Sequence, residues 1–382
     1  QLVKHSIDRY GKKEVVTWLW EVWNEPDIPY WSGTFDEYCK LYDYAVDGLK
    51  KACPECTIGG PHTTSPRSDK AYKYLTDFIS HCLHGKNYAT GKTGTPLQYI
   101  GFHAKGSPEF VNDHIRMNMG VQLKDIERAF IAVNSFPGLK NIPIIVGECD
   151  PEGCAACSEK RDPKYGYRNG TMYSSYTASS FARIYELMDK YKVNLKGAVS
   201  WSFEFEDQEW FAGFRELATH GIDKPVLNIF RMFGMMSGKR LAVKCVDGFN
   251  AADIIAKGVR DKNDINAIAS KNQNSLYVMV WNYHDDDVTG AASPVELIIN
   301  GIGKNKVMVN HYRVDKQFSN SFDVWKTMGK PQNLSTEQYK ELERAGQLQL
   351  YDSPAWKETT NGKTVLNFDL PRQGVSLIQL TW

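Results

Sequence analysis

Two glutamates in this 382-residue chain stand where a β-like run gives way to a loop. The run Val15-Val16-Thr17-Trp18-Leu19-Trp20-Glu21-Val22 is rich in β-branched and aromatic residues and breaks at Asn24-Glu25-Pro26. The spacing therefore predicts Glu25 at a strand end, held by a turn whose φ a proline fixes. The run Ile142-Pro143-Ile144-Ile145-Val146-Gly147 is short and apolar, as suits a strand buried on both faces, and it ends in Glu148. Two carboxyl groups at strand ends suit the cleavage of a glycosidic bond, one to give a proton and one to stay ionised. His103 closes another such run, lying in sequence between the two, and is expected within reach of both.

Placing those groups requires a scaffold of alternating strands and helices. After Glu25, Thr34 and Glu37 form a capping box ahead of a helical stripe of Tyr38, Leu41, Tyr42, Ala45 and Leu49. The alternation repeats as strand 57–60 and helix 70–83, strand 97–103 and helix 120–134, strand 142–148 and helix 173–191, strand 195–201 and helix 224–236. Five strand-helix units predict a parallel sheet with helices outside it. From Leu241 the period changes to two, with strands at 275–282, 295–299, 306–312 and 375–380 and one helix at 336–344 capped by Ser335 and Gln338. The expected organisation is a catalytic domain over residues 1–238 and an all-β sandwich over 239–382.

The segments Glu21-Val22-Trp23-Asn24-Glu25-Pro26, Ile58-Gly59-Gly60-Pro61, Gly101-Phe102-His103, Gly147-Glu148, Trp201-Ser202-Phe203, Glu206-Asp207-Gln208, Gly221 to Asn228 and His311 to Asp315 together resemble clan A of the retaining glycoside hydrolases. Within it the chain resembles glycoside hydrolase family 39, the β-xylosidase and α-L-iduronidase family, and most of all its bacterial β-xylosidase branch. The resemblance implies a (β/α)8 TIM barrel with the acid/base, Glu25, at the end of strand four and the nucleophile, Glu148, at the end of strand seven. Counted that way, residues 1–238 are about strands four to eight of a barrel. The first three strand-helix units are absent from this chain, to be supplied by a second chain or segment. The resemblance further implies that Asn24 bonds the sugar 2-hydroxyl, that His103 and the aromatic floor Trp201 line the pocket, and that Glu206 and Asp207 hold outer hydroxyls. Lys105 stands where the family often has an aromatic residue.

Composition narrows the partners. With 46 basic and 45 acidic side chains the net charge is +1, which offers no electrostatic case for nucleic acid or an anionic membrane. No run of 18 apolar residues exists to span a bilayer. The charge balance predicts an uncharged ligand; the family resemblance implies a xylo-oligosaccharide or another β-glycoside, with no cofactor. Of eight cysteines, Cys53/Cys56 and Cys154/Cys157 have metal-knuckle spacing; a local disulfide or free thiols is the expectation rather than zinc, because the pairs lie two strand-helix units apart. Cys149, next in sequence to Glu148, should point away from it. The family resemblance implies export to the periplasm or beyond. Retaining β-xylosidase is the leading reading; another family activity such as α-L-iduronidase, and a non-catalytic sugar-binding or assembly subunit, are the alternatives.

Overall fold

The structure, a computed structural model, describes all 382 residues. Two compact units interleave along the chain. The first takes Gln1–Lys105, Val121–Asp150 and Ile184–Trp201; the second takes Gly106–Gly120, Pro151–Arg183 and Ser202–Trp382.

The first unit opens with helix α1 (Leu2–Tyr10), stopped by Gly11 at φ 85, where a glycine adopts the left-handed region freely, and with the short α2 (Lys12–Val15). Strand β1 is confined to Leu19–Glu21, shorter than the β-branched run from Val15 to Val22 predicts. The cause is local: Val15 is fully buried as the last residue of α2, and Thr17 turns its backbone N–H and hydroxyl back onto the Glu14 carbonyl. Packing of a helical turn here overrides strand propensity. Helix α3 (Phe35–Ala52) starts at the expected capping box, with the Glu37 N–H on Thr34 Oγ1 and the Thr34 N–H on Glu37 Oε2. Its buried stripe of Tyr38, Tyr42, Val46 and Leu49 packs with Ile58 and Phe78.

Strand β2 (Thr57–Thr63), helix α4 (Asp69–His84) and β3 (Ile100–Lys105) follow. After a hairpin of the second unit, β4 (Glu109–Val111) with β5 (His114–Arg116), come α5 (Met119–Asn134), β6 (Pro143–Asp150), α6 (Thr171–Tyr191) and β7 (Asn194–Ala198). The long strands form one parallel sheet in the order β1-β2-β3-β6-β7. Five parallel strands in chain order, each followed by a helix, put all their C-terminal ends along one rim, where both glutamates are found.

The second unit continues with β8 (Ala218–Thr219), β9 (Ile222–Asp223), α7 (Pro225–Met235), β10 (Lys239–Leu241), α8 (Ala251–Lys257), β11 (Asp264–Lys271), β12 (Ser275–Tyr283), β13 (Ser293–Ile299) and β14 (Lys306–Val314). It ends with α9 (Ser321–Thr327), α10 (Thr336–Gly346), β15 (Gln349–Leu350), β16 (Ala355–Glu358), β17 (Thr364–Leu370) and β18 (Val375–Thr381). The larger antiparallel sheet runs β10-β11-β12-β18-β14-β15, with β16 also on β14; a smaller one pairs β13 with β17. Val278, Val280, Ile299, Val307, Leu370, Ile378 and Leu380 share the core of this sandwich. Strand β12 is buried on both faces along its whole length, so Leu276 to Trp281 are all apolar and the alternation expected of this strand is not seen. Helix α10 has the expected Ser335–Gln338 capping box but runs through Gly346 to a cap at Gln347. A buried carboxylate ties the fold locally: Asp264 accepts from Arg183 Nη2 at 2.7 Å, Trp281 Nε1 at 2.9 Å and the Phe249 N–H at 2.9 Å. Taking one partner away would leave an uncompensated buried charge.

His311 on β14 couples this unit to pH. Its ring packs on Tyr351 and Phe368, Nε2 lies 2.9 Å from Ser376 Oγ, and burial, reinforced by the Arg313 charge, pushes its pKa down to about 3. Between about pH 6.5 and 3 the unfolded chain therefore binds a proton that the native one refuses, so stability present above 6.5 is lost as pH falls through that window. Urea midpoints should fall across it, and His311→Gln should shrink the fall; an identical pH slope in the variant would show that another group sets it.

Candidate active site

Glu25 sits four residues past β1 with φ 46, two residues after Trp23 at φ 69. Non-glycine residues in the left-handed region carry strain that surrounding contacts must hold. Here the Glu25 N–H donates to the His62 carbonyl at 3.0 Å, and the buried Pro26 follows. Glu148 lies within β6 rather than at its end, because Cys149 and Asp150 go on pairing with Ala104 and Lys105 of β3. The β3–β6 register slips between Phe102 and His103: Phe102 faces Val146, and the next residue, His103, faces Glu148. That bulge re-aims the two side chains toward each other, which strict alternation would not have done.

His103, 2% exposed, bridges the carboxylates: its Nδ1 is 2.8 Å from Glu25 Oε1 and 3.7 Å from Glu148 Oε1. One oxygen of each glutamate and a ring nitrogen of His103 all lie within 4.8 Å of one another. Lys105, on the same strand as His103, reaches Glu148 Oε2 at 2.7 Å and Asp150 Oδ2 at 2.6 Å. Glu25, His103 and Glu148 are three groups of the kind that ligate a cation, and the Lys105 ammonium on the other oxygen of Glu148 already brings a positive charge beside them.

Beneath them, His62 Nε2 is at ion-pair distance, 2.9 Å, from Glu21 Oε2. Burial alone would raise the Glu21 carboxyl; the hydrogen bond and charge of His62, with His103 beyond, hold it below the usual range. The His62 ring is wedged between strands: a Cβ on Gly101 would lie 2.1 Å from its Nε2, and one on Gly147 2.4 Å from its Nδ1.

Asn24 is exposed on the turn before Glu25, in the same unit. Trp201 is three residues past the last parallel strand rather than at its end, because its N–H turns onto the Asp150 carboxylate, 3.1 Å from Oδ1. Its indole is 40% exposed. Glu206 and Asp207 are exposed residues of the second unit, Asp207 at φ 56. Cys154 and Cys157 are joined by a disulfide, while Cys53 and Cys56 are buried thiols of the other unit. Cys149 points away from Glu148, toward Gln122 Nε2 on α5, and burial pushes its thiol well up. Sequence reasoning missed Asp150 and the pairing of Glu21 with His62. The signal for Asp150 was its spacing: positions 148 and 150 share one face of a strand.

The glycine pair makes a test. Gly147→Ala should drive His62 out of its slot at a cost of about 1–3 kcal/mol, the usual range for overpacking, read as a lower unfolding midpoint; an unchanged midpoint would mean that the ring has room.

The sequence profile of the glycosyl hydrolases family 39 matches residues 1–360. The chain is 26% identical over 393 residues to a β-xylosidase of Caldicellulosiruptor saccharolyticus, covering 100% of this chain and 71% of that protein. It is 26% identical over 371 residues to the α-L-iduronidase of Mus musculus, covering 89% of this chain and 55% of that one. Among solved structures, a bacterial orthologue of human α-L-iduronidase superposes with TM-score 0.79 at 20% identity, over 100% of this chain and 65% of that one. A monomeric β-xylosidase from Caulobacter crescentus gives 0.75 at 19% identity, over 100% and 73%. The chain thus spans about half to three-quarters of the length of these relatives, and shares the α/β-barrel and β-sandwich fold of the two structures. By the profile match over nearly its whole length, the chain belongs to glycosyl hydrolase family 39.

Proposed function

We propose that this glycoside hydrolase is a retaining exo-glycosidase acting on β-xylosides, with Glu25 as acid/base and Glu148 as nucleophile. The observation that carries the mechanism is the approach of a Glu25 and a Glu148 oxygen within 4.8 Å. An inverting enzyme needs about 6.5–9.5 Å to seat a water between carboxylate and sugar; a retaining one has about 5–5.5 Å. Lys105 engages Glu148 Oε2, which leaves Oε1, on the His103 side, for attack at the anomeric carbon. Glu25 protonates the departing oxygen as the ester to Glu148 forms. The negative charge of Glu148 is then gone, so Glu25 stays ionised and takes a proton from the water that cleaves the ester. His103, 2.8 Å from Glu25 Oε1, fixes which oxygen faces the sugar. Asn24, Trp201, Glu206 and Asp207 are assigned to sugar contacts by family resemblance, with xylo-oligosaccharides as substrate.

The xylosidase relatives that align with the whole chain support the neutral sugar. One observation favours a second reading, an α-L-iduronide: the largely buried ammonium of Lys105 beside Glu148 is the kind of group that pairs with a sugar carboxylate. Aryl β-xyloside and aryl α-L-iduronide offered side by side decide between them, and hydrolysis of neither would sink both.

The parallel sheet is proposed to gain further strands at its edges, from another chain or segment. Leu19 on the edge strand β1 and Val199 just past β7 are each 51% exposed, and bare parallel edges invite pairing. Light scattering that finds this polypeptide monomeric and fully active would count against it. Export is proposed from the Cys154–Cys157 disulfide, which suits an oxidising compartment; recovery of both thiols free from the source would argue otherwise.

The chemistry predicts its own mutants. Glu148→Ala should abolish both steps. Glu25→Ala should spare aryl glycosides with good leaving groups most, and azide should restore turnover of the ester as the β-glycosyl azide. NMR of the first-formed sugar should show the original anomer; the inverted anomer would replace Glu148's role by that of a water-activating base.

A further inference from the structure

We propose that Asp150 is a positioning residue for this reaction: from the end of β6 its buried carboxylate holds Lys105 against the second oxygen of Glu148 and anchors the backbone leading into Trp201. The proposal rests on the retaining-glycosidase reading of Glu25 and Glu148, and asks what keeps the second of them in place.

Asp150 is wholly buried, and its carboxylate and carbonyl oxygens reach β3, α5 and the segment after β7, the Trp201 N–H lying within 3.3 Å of Oδ2 as well as near Oδ1. Oδ2 is 2.6 Å from Lys105 Nζ on β3. Oδ1 accepts from Ser200 Oγ at 2.8 Å and from the Trp201 N–H at 3.1 Å, both beyond β7. Its carbonyl accepts from Gln122 Nε2 of α5 at 3.0 Å, and that amide also donates to the Ala104 carbonyl at 3.0 Å, locking the ends of β3 and β6 together. The Lys105 backbone is itself pinned, its N–H donating to Ser65 Oγ at 2.8 Å. The ammonium therefore has a fixed root and two charged partners, Glu148 Oε2 and Asp150 Oδ2.

Sharing one ammonium between two carboxylates has a chemical consequence. Charge-assisted hydrogen bonds of this length are about twice as strong as neutral ones. If Lys105 paired with Glu148 alone, it would hold the nucleophile's charge more tightly and make it a poorer attacker. If Lys105 were absent, Glu148 and Asp150, two residues apart on one strand face, would repel each other, and Glu148 would protonate more readily. Asp150 sets the balance between these extremes. The other titratable groups facing this cluster are Glu25 and His103, with His62 and Glu21 behind them, the Cys149 thiol between Glu148 and Asp150 in sequence, and Arg67, which donates to the Lys105 carbonyl. Lys105 pairs with Asp150 and Glu148 alike, so removing the positive charge and removing the Asp150 charge act on Glu148 with opposite signs.

The test is the titration of Glu148, followed by carboxyl ¹³C NMR and assigned by its loss in Glu148→Gln, together with the pH profile of kcat/KM on the aryl glycoside that the wild type turns over. Asp150→Asn keeps the shape but removes a negative charge, so both the titration and the acid limb should move to lower pH. Lys105→Met should move both to higher pH, and Lys105→Arg, which keeps the charge, should leave the limb near the wild type. The amide has one acceptor oxygen for two donors, Lys105 Nζ and the Trp201 N–H, so one of these contacts is lost and kcat for Asp150→Asn should also fall by roughly 100-fold, the scale of a 1 Å misplacement. Shifts in the same direction, or lost activity with an unmoved titration, would make Asp150 a merely structural residue and overturn the proposal. Should Asp150→Asn fail to fold, Asp150→Ser, which also removes the negative charge, takes its place with the same expected shift to lower pH, and a shift to higher pH overturns the proposal. A wild type inactive on every glycoside would defeat the glycosidase reading, while the NMR titration would still decide the role of Asp150.

Discussion

Two carboxylates within 4.8 Å of each other in a largely buried cup repel, and the first unit is arranged around containing that repulsion. Glu21 and Asp150 add further acid groups nearby. Against them stand one ammonium, Lys105, and two imidazoles, His62 and His103, each tied to a particular carboxylate oxygen. The pairing is directional: His103 takes Glu25 Oε1 while Lys105 takes Glu148 Oε2. Like charges are kept close because each has its own counter-group on a neighbouring strand. A glycosidic pair needs this, since one carboxyl must keep its proton while its neighbour gives its own up.

Backbone geometry serves the same end. The left-handed turn at Glu25 and the bulge at His103 both break regular strand geometry at the residues that meet. Gly101 and Gly147 leave space for the His62 ring between strands that would otherwise close over it. The second unit solves a separate problem, a two-sheet core with its own buried ion pair at Asp264, and it holds the exposed Glu206 and Asp207.

Much of this was legible in the residues. The capping boxes at Thr34 and Ser335, the apolar run into Glu148 and the alternating strands β13 and β14 are local patterns, and local hydrogen bonding and side-chain alternation are enough to produce them. The existence and order of the five parallel strands follow from the same patterns. Strand ends did not: β1 lost Val15 to a helical turn, β6 ran on to Asp150, and Trp201 fell outside β7. In each case a tertiary contact, with the core, with β3 or with a buried carboxylate, outweighed propensity.

By itself the sequence determined which residue types stand at the rim of a parallel sheet, because hydrophobic period and turn residues act over a few positions. Only the tertiary structure decided which of them touch. His103 meets both glutamates through a bulge that no alternation rule anticipates, and Lys105 meets Asp150 because two strands 45 positions apart run side by side. Distances between side chains on different strands depend on register and on the shape of neighbouring residues, and neither is written in a one-dimensional pattern.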